Sequence, residues 1–365
     1  MAKISIVTGT NTIERNMEHI VFHIASHLDD ANDITLVGAY NTSSRIRERF
    51  RVHAPGQPPT SLPGLGLAAK TRLVLQYAKA HKPDILMAVS GIGSNGLATA
   101  LAGRLLHIPT IVRVTSDIFV IHKYQRPRKK QLRLFFKNNV AGRLAMRLAD
   151  RVILLHEAQR EQLVAMGYPT DKFYVVPQPI IFPERPTSLT RATARQRLGL
   201  PPEAFVFGYF GRIAWDKNIP LMAATAVKVL AQRPGAHFLV VGKGNKQAAL
   251  EQALTGLPST FAGQVPHAQL PAYFLACDAT LHTSFSEGLS NVMAESLYFG
   301  IPVISTDSGL ITRSLVTNIG HNAEELASLL CSDDLILDQF PKEFDPRINR
   351  QHWLGAVQGL PRQKR

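Results

Sequence analysis

The stretch from Ala279 to Pro302 reads ATLHTSFSEGLSNVMAESLYFGIP and predicts a single strand–turn–helix unit. Its opening residues form a short run typical of a strand that is buried on both faces. Gly288 permits a tight turn, Ser290 is a good helix N-cap, and the closing Gly-Ile-Pro stops the helix. The free N–H groups of the first helical turn would lie at the carboxyl edge of a parallel sheet, where α/β proteins bind ligands. The stretch therefore predicts an anion site suited to a phosphate.

Short apolar runs alternate with amphipathic stretches along the rest of the chain, and this alternation indicates doubly wound parallel sheets. A proline-rich segment at residues 176–186 separates two series of such runs, because its prolines oppose both helix and central strand. The runs are residues 4–7, 34–37, 85–89, 110–114, 151–155 and 173–176 in the first series, and 205–210, 237–241, 259–261, 279–282 and 302–305 in the second.

The chain of 365 residues is longer than one hydrophobic core usually organises. Its hydrophobic content of 45% and charged content of 19% are typical of a folded globular protein. We therefore predict an α/β fold with two Rossmann-like domains that face a cleft. The first domain comprises residues 1–178 and the second residues 179–344, and the C-terminal segment 345–365 packs back on the first.

Two cysteines, Cys277 and Cys331, have no paired spacing, which excludes a disulfide framework and a zinc site of the usual kinds. The N-terminus enters a strand directly and lacks the charged and apolar regions of a signal peptide. No apolar run approaches the ~20 residues that span a bilayer. These features predict a cytoplasmic protein, or one that is peripheral on the cytosolic face of a membrane.

The formal net charge is +14, which favours polyanionic partners or anionic membrane. Ten Lys and Arg residues lie between Lys123 and Arg151, with Asp150 as the one acid. Apolar residues are interleaved among them, so a cationic amphipathic helix lying on anionic lipid is one interpretation. A solvated helix with one core-facing side is the other. Nucleic acid is not predicted as a partner, because aromatic residues are not interleaved on a sheet face as single-strand binding requires.

Two carboxylates flank the predicted anion site. Glu287 lies in the turn before the helix, and Glu295 lies about one turn inside it with its side chain leaning back toward the N-terminus. One can accept hydrogen bonds from sugar hydroxyls and the other from a ribose diol. The alternative is structural: a turn residue, and an acid that favours the helix dipole.

A second motif follows the first strand of the second series, where residues 207–218 read FGYFGRIAWDKN. Its glycines allow a ligand close to the backbone, and Arg212 and Lys217 place two cations at the end of that strand. Arg can grip diphosphate oxygens with two hydrogen bonds, and Lys adds a point charge. A solvated basic loop in which Asp216 is the partner is the alternative.

Together these motifs resemble the donor domain of glycosyltransferase family 4, which contains retaining enzymes of the GT-B fold. The family signature combines E-x7-E, here Glu287 and Glu295, with an upstream G-R-x4-K, here Gly211-Arg212 and Lys217. Residues 240–244 resemble the family's strand and glycine turn, and residues 261–265 resemble its base-contacting strand and loop.

The resemblance implies a role for each matching residue. Arg212 and Lys217 bind the donor diphosphate and stabilise it as it leaves, Glu287 faces the transferred sugar, and Glu295 holds the ribose. Backbone N–H groups at the start of the helix bind phosphate, and Val265 contacts the base. Including a residue of the first domain, the predicted donor-binding set is Gly9, Arg212, Lys217, Val265, Glu287, Gly288, Leu289, Ser290 and Glu295, and the predicted catalytic set is Glu287, Arg212, Lys217 and Asp117.

The first domain matches the family less closely. Gly9 lies in a strand–turn–helix segment that resembles the family's opening loop near the donor phosphates, and a plain turn is the alternative. The family often carries a histidine where this chain has Ser116-Asp117, so a histidine role is not transferred. Asp117 could orient or deprotonate the acceptor hydroxyl, or cap a helix. His156 is interpreted as structural.

The predicted function is a retaining transfer of sugar from a nucleotide-diphosphate sugar to a glycan or lipid-linked acceptor, in surface polysaccharide or glycolipid biosynthesis. No cofactor is predicted, and no metal, since no Asp-x-Asp element is placed to bridge a metal and a diphosphate. A nucleotide-sugar epimerase of the same fold and a non-catalytic relative that binds membrane or polymer are the alternatives.

Overall fold

The structure is a computed structural model that describes residues 1–8, 15–38, 43–54, 66–115, 119, 121–124 and 127–360. The chain divides into two compact units. The first comprises Met1–Ile180 together with Lys342–Arg365, and the second comprises Ile181–Pro341. The chain therefore leaves the first unit once and returns to it near its C-terminus.

The described part of the first unit contains a seven-stranded parallel sheet with the order β3-β2-β1-β4-β5-β6-β7. Its central strands carry continuous buried residues, as expected for strands covered on both faces. The strands are β1 Ala2–Val7, β2 Asn32–Val37, β3 Arg51–His53, β4 Ile85–Ala88, β5 Thr110–Arg113, β6 Arg151–Leu154 and β7 Phe173–Val175.

Helices cover this sheet, and the last of them comes from the C-terminus of the chain. Trp353 of this helix is fully buried in the core of the first unit. Asn349 donates to the carbonyl of Pro177 at 2.8 Å, and Arg151 donates to the carbonyl of Ala356 at 2.8 Å. The helices of the unit are α1 Arg15–Asp29, α2 Ser44–Arg49, α3 Leu67–His81, α4 Leu97–Leu106, α5 Arg128–Phe135, α6 Arg143–Leu148, α7 Glu157–Ala165 and, at the C-terminus, α15 Pro346–Val357.

The predicted basic segment forms helix throughout residues 128–148, because a π-helical turn at Phe136–Gly142 joins α5 to α6. This turn packs backbone to backbone on a second π-helical turn at Ile92–Gly96. A Cβ atom on Gly93 would lie 1.6 Å from the carbonyl oxygen of Lys137, so only glycine fits there. One side of the segment is therefore fixed against the unit.

The second unit contains a six-stranded parallel sheet with the order β10-β9-β8-β11-β12-β13. Its core contains stacked phenylalanine rings. The ring centroids of Phe207 and Phe238 lie 4.6 Å apart, and those of Phe210 and Phe274 lie 4.1 Å apart. The strands are β8 Phe205–Phe210, β9 Ala236–Val241, β10 Ser259–Gly263, β11 Ala279–His282, β12 Val303–Ser305 and β13 Asn318–Ile319, and the helices are α8 Arg191–Leu198, α9 Ile219–Gln232, α10 Gln247–Ala253, α11 Leu270–Ala276, α12 Asn291–Tyr298, α13 Leu310–Leu315 and α14 Ala323–Cys331.

Every apolar run predicted as a strand forms one, with ends that differ by up to two residues. The prediction missed β3 and β13, which lie at the edges of the two sheets. Both are short, and each pairs with one neighbour only in the described sheets. Neither carries the continuous apolar run that a central strand requires.

Candidate active site

The candidate site lies where the strand order of the second sheet reverses, between β8 and β11. These strands are hydrogen-bonded neighbours, and their carboxyl ends lead into residues 211–217 and 283–290 respectively. In open α/β sheets, ligands bind outside the carboxyl ends of the strands at such a switch point. The topology therefore brings the two predicted motifs to one edge of the sheet.

The loop after β8 is locked to the loop after β9 by close backbone contact. A Cβ atom on Gly242 would lie 1.8 Å from the carbonyl oxygen of Gly211, and one on Gly244 would lie 2.1 Å from that of Ile213. The N–H of Ile213 donates to the carbonyl of Lys243 at 3.1 Å. Glycines are thus required at both contact points, and the loop that carries Arg212 and Lys217 has a fixed base.

Lys217 ends the 3-10 turn Trp215–Lys217, just before α9. Its ammonium group forms an ion pair with Glu287, whose carboxylate also accepts a 2.7 Å hydrogen bond from Ser284. The two charged side chains are 20% and 17% exposed, so their interaction is partly shielded from water. Thr283 donates to the carbonyl of Lys217 at 2.7 Å and joins the two loops through the backbone.

Arg212 is on the solvent side of the same loop, with 69% of its side chain exposed. It contacts Asp216 at 3.1 Å, the pairing expected from the structural alternative for this motif. Asp216 also lies 3.9 Å from the ammonium of Lys217, so the charges form a chain from Arg212 to Glu287. The carbonyl of Arg212 accepts a 2.6 Å hydrogen bond from Tyr209, and burial raises the pKa of this tyrosine.

The start of α12 has the predicted cap. The hydroxyl of Ser290 accepts from the N–H of Met293 at 3.4 Å. The N–H groups of Gly288, Leu289 and Ser290 donate to no acceptor among the described residues. These unpaired donors at a helix N-terminus are the groups that bind phosphate in other proteins.

The turn before α12 is held by the loop that follows β12. The N–H of Glu287 donates to the carbonyl of Ser308 at 2.8 Å, and Thr306 donates to the carbonyl of Ser284 at 2.9 Å. Gly309 has a φ of 138°, and a Cβ atom there would approach the carbonyl of Glu287 to 3.3 Å. The backbone at Glu287 is thus positioned by contacts with residues 306–309.

Glu295 is buried, with 6% of its surface exposed, and its carboxylate accepts from His267 at 3.0 Å. Burial raises the pKa of Glu295, and the hydrogen bond from His267 opposes that shift. His267 lies in the loop after β10, two residues beyond Val265, which is half-buried. Sequence reasoning missed His267, because no local spacing links it to a carboxylate 28 residues later.

His282 lies at the end of β11, directly beneath these loops, and was not singled out in the sequence. It is 5% exposed, and its Nε2 atom has no hydrogen-bond partner in the part of the chain that the structure describes. Burial, with the charge of Lys217 as a second cause, lowers the pKa of His282 to about 3. The imidazole is therefore neutral at physiological pH.

Two predicted site residues, Gly9 and Asp117, lie outside the described residues. His156 is the N-cap of α7, because its Nδ1 atom accepts from the N–H of Ala158 at 3.2 Å. Among the residues described, no group of three or more His, Cys, Asp and Glu side chains is arranged to hold a metal ion. Within the same residues, no helix is long and apolar enough to cross a bilayer.

A family model for group 1 glycosyl transferases matches residues 190–322, and one for a glycosyl transferase 4-like domain matches residues 17–179. Together they include the second sheet, the first sheet apart from β1, and both motifs of the candidate site. The chain belongs to the GT4-like glycosyltransferases of the GT-B fold. The predicted family, fold class and enzyme class are thereby confirmed.

Relatives of this glycosyltransferase include TuaC of Bacillus subtilis, a protein named for teichuronic acid biosynthesis. It is 29% identical over 256 residues, which make up 70% of this chain and 61% of TuaC. A GDP-mannose-dependent alpha-mannosyltransferase of Mycobacterium tuberculosis is 25% identical over 307 residues, covering 81% of this chain and 76% of the relative.

The fold is shared with solved structures. Anabaena HepE in complex with UDP and glucose has a TM-score of 0.67 at 21% identity, with 98% of this chain and 95% of that chain covered. The lipopolysaccharide outer core galactosyltransferase WaaB has a TM-score of 0.69 at 16% identity, with 97% and 99% covered.

Proposed function

We propose that this protein transfers a sugar from a nucleoside-diphosphate sugar to a hydroxyl group of a glycan or lipid-linked acceptor. The observation that carries the proposal is the ion pair between Lys217 and Glu287 at the switch point of the second sheet. Family membership supports the reaction class, and this pair supports the assignment of the donor site within the chain.

The diphosphate is assigned to the cationic end of the site. The Arg212 guanidinium is mostly exposed, so it can turn from Asp216 to phosphate oxygens at little cost. Lys217 and the unpaired N–H groups of Leu289 and Ser290 complete the set. Such preorganised donors stabilise the negative charge that develops as the diphosphate leaves.

The transferred sugar is assigned to Glu287. In the structure its carboxylate is held by Lys217 and Ser284. When a diphosphate draws Lys217 toward itself, the carboxylate is left with oxygens that accept hydrogen bonds from sugar hydroxyls. The pair therefore neutralises a partly buried carboxylate before the donor binds and frees it when the donor draws Lys217 away.

The nucleoside is assigned to Glu295, which accepts from the ribose diol, and to Val265, which contacts the base through its main chain. HepE was crystallised with UDP and glucose, and the mycobacterial relative is named as GDP-mannose-dependent. UDP- and GDP-sugars are therefore the first donors to test.

The reaction is proposed to proceed with retention at the anomeric carbon and without a metal. The bond from the anomeric carbon to the diphosphate breaks, the bond to the acceptor oxygen forms on the same face, and the acceptor proton passes to a leaving phosphate oxygen. Arg212 and Lys217 supply the charge compensation that a metal ion supplies elsewhere. Asp117 is proposed to orient the acceptor hydroxyl, and Gly9 to approach the donor phosphates.

The acceptor class is proposed from the relatives. TuaC is named for teichuronic acid biosynthesis, and LpsB of Rhizobium meliloti is named as a lipopolysaccharide core mannosyltransferase. We therefore assign this protein to surface polysaccharide or glycolipid biosynthesis on the cytosolic face of a membrane.

A peripheral membrane contact is the second part of the proposal, and exposed apolar side chains of the basic segment support it. Leu132, Phe136, Val140 and Leu144 recur every fourth residue and are 59%, 54%, 53% and 44% exposed. We call these four residues the apolar stripe. Cations of α5 and α6 flank it, as in helices that lie in a lipid interface.

Product analysis tests the proposed reaction. The protein is incubated with donor and acceptor, and the anomeric configuration of the product is read by NMR before and after treatment with EDTA. We expect the anomeric configuration of the product to match that of the donor. The rate of transfer should be unchanged after EDTA. An inverted product, or a rate that EDTA abolishes and Mg²⁺ restores, would contradict retention or metal independence respectively. Release of an epimeric sugar would indicate the epimerase alternative.

A further inference from the structure

The carboxylate of Glu295 has one hydrogen-bond partner among the described residues, although it is among the most buried acids of the second unit. Its partner is the Nε2 atom of His267 at 3.0 Å. An ionised carboxylate has about four acceptor positions, so several remain for a ligand. Burial disfavours the ionised form of an acid. A buried carboxylate with one hydrogen-bond partner therefore costs free energy until a second partner binds.

His267 reaches this carboxylate from a different element. Pro266, with φ of −58°, fixes the backbone just before the 3-10 turn His267–Gln269 that leads into α11. The imidazole is 47% exposed, so it bridges solvent and a carboxylate that is 7% exposed. The loop of Val265, where a contact with the base is predicted, is thus joined by the side chain of His267 to the helix that carries Glu295.

We propose that His267 is a positioning residue for the donor ribose, which orients the Glu295 carboxylate so that its remaining acceptors meet the 2′- and 3′-hydroxyls. This inference rests on the proposed function, in which Glu295 holds the ribose. The imidazole donates its Nε2 proton to one carboxylate oxygen and leaves the other for the diol. His267 itself touches no reacting atom, so its effect is on donor binding and not on the chemical step.

The geometry also predicts a pH dependence of donor binding. Burial raises the pKa of Glu295, and His267 is the ionisable group that opposes this shift. The carboxylate must be ionised to accept two hydroxyl protons, so donor affinity falls as pH decreases through that pKa. Removing His267 raises the pKa further, and the loss of affinity then begins at a higher pH.

The first test compares ribose with deoxyribose. Affinities for UDP, 2′-deoxy-UDP, GDP and 2′-deoxy-GDP are measured by calorimetry at pH 7.5 on the full chain. We expect the wild-type protein to prefer the ribo form by roughly tenfold or more, the value of one hydrogen bond to a charged group. In His267→Ala the preference shrinks to less than about twofold, and His267→Gln, which keeps an N–H donor, restores part of it.

The second test records affinity for the intact nucleotide sugar between pH 5 and pH 8, where its diphosphate does not titrate. We expect the acid limb of His267→Ala to lie at higher pH than that of the wild type. We expect His267→Ala to raise the KM for the donor and to leave the turnover number at saturating donor at the wild-type value. His321→Ala is the matched control, because His321 is exposed in a loop and has no assigned role.

The outcomes separate this inference from the proposal beneath it. If the wild type discriminates against deoxyribose and His267→Ala and His267→Gln discriminate equally well with the same pH profile, the positioning role is wrong. If the wild type binds the nucleotides without distinguishing ribose from deoxyribose, the ribose assignment of Glu295 is wrong. If the wild type binds none of the four nucleotides and no nucleotide sugar, the proposed function itself fails.

Discussion

At the scale of single residues, Lys217 is the side chain on which the proposed chemistry depends most. It is partly buried, and its ammonium lies between Glu287 and Asp216. A cation in this position is preorganised, because the surrounding loops are fixed before any ligand binds. An isolated surface lysine would have to lose side-chain entropy to act in the same way.

We predict that Lys217→Ala lowers turnover about 10²- to 10³-fold, the loss typical of removing one group that stabilises a developing anion. The fold is retained, because Thr283 and the glycine contacts hold the loop through its backbone. Steady-state kinetics with a saturating donor measures the effect. Lys228→Ala is the control, since Lys228 pairs on the surface of the same unit with Glu324. Equal turnover in the two variants would remove Lys217 from the mechanism.

His282 makes a prediction about stability and pH. Its pKa is lowered to about 3 in the folded protein, so between that value and the ordinary value of 6.5 the unfolded chain binds more protons. Stability therefore falls as pH decreases below about 6.5, by up to ~1.4 kcal/mol per pH unit from this residue. Urea unfolding of wild type and His282→Leu at pH 7.5 and pH 5.5 measures it. We expect a smaller acid loss in the variant, and equal losses would show that His282 does not titrate on unfolding.

Prediction from sequence was correct for single residues where the structure depends on local spacing. Ser290 is the N-cap of α12 because cap and partner lie three residues apart in the chain. The sequence did not predict contacts between residues that meet only when the chain folds. Ser284 is close enough in sequence to have been found, but His267 and the neutral His282 are defined by burial and by contacts between elements.

At the scale of elements, the two glycine loops after β8 and β9 form the base of the site. Their backbones touch at Gly242, where φ is 137° and a Cβ atom would overlap the carbonyl of Gly211. The sequence indicated a glycine turn at this place. It did not indicate that the turn supports the loop of Arg212 and Lys217, because that contact joins segments about 30 residues apart.

We predict that Gly242→Ala destabilises the protein by about 1–3 kcal/mol more than a glycine substitution without a clash, since the backbones must move apart. Gly256→Ala is the matched control: its φ is 79°, and a Cβ atom there meets nothing within 4 Å. It should cost about 1–2 kcal/mol from backbone strain alone. Chemical unfolding compares the two, and donor affinity should fall only in Gly242→Ala. Equal destabilisation with unchanged affinity in both would contradict a supporting role for the contact.

The edge strands show the limit of prediction at this scale. Central strands such as β8 are read from continuous apolar residues, because both faces are covered. Arg51–His53 and Asn318–Ile319 pair with one neighbour each in the described sheets and carry polar residues. Their strand conformation comes from the neighbouring strand, which the local sequence does not contain.

At the scale of the whole molecule, the excess of positive charge coincides with exposed apolar surface. The apolar stripe lies on the helical segment that the sequence identified as cationic, so charged and apolar side chains share one exposed surface. The sequence left open whether the exposed side of this helical segment faces lipid or water. The sequence alone does not show which side of the segment packs against the first unit.

We predict that the protein binds vesicles containing anionic lipid and that binding weakens steeply between 50 mM and 500 mM salt. Phe136→Ser should reduce binding, since it removes an apolar contact with the acyl boundary. Leu105→Ser, on α4, is the control, because Leu105 is 65% exposed outside the stripe. Vesicle sedimentation measures both. Binding that is absent, independent of salt, or equally reduced by the two substitutions would contradict the membrane contact.

The central claim is that the second unit holds the diphosphate of a nucleotide sugar between Lys217, Arg212 and the start of α12. Thermal unfolding with a panel of UDP-, GDP- and ADP-sugars tests it most directly, on the wild type and on Lys217→Ala. A donor at 100 times its dissociation constant should add ~2.7 kcal/mol to stability, and Lys217→Ala should lose most of that protection. Protection by no sugar nucleotide, or equal protection of both proteins, would contradict the claim.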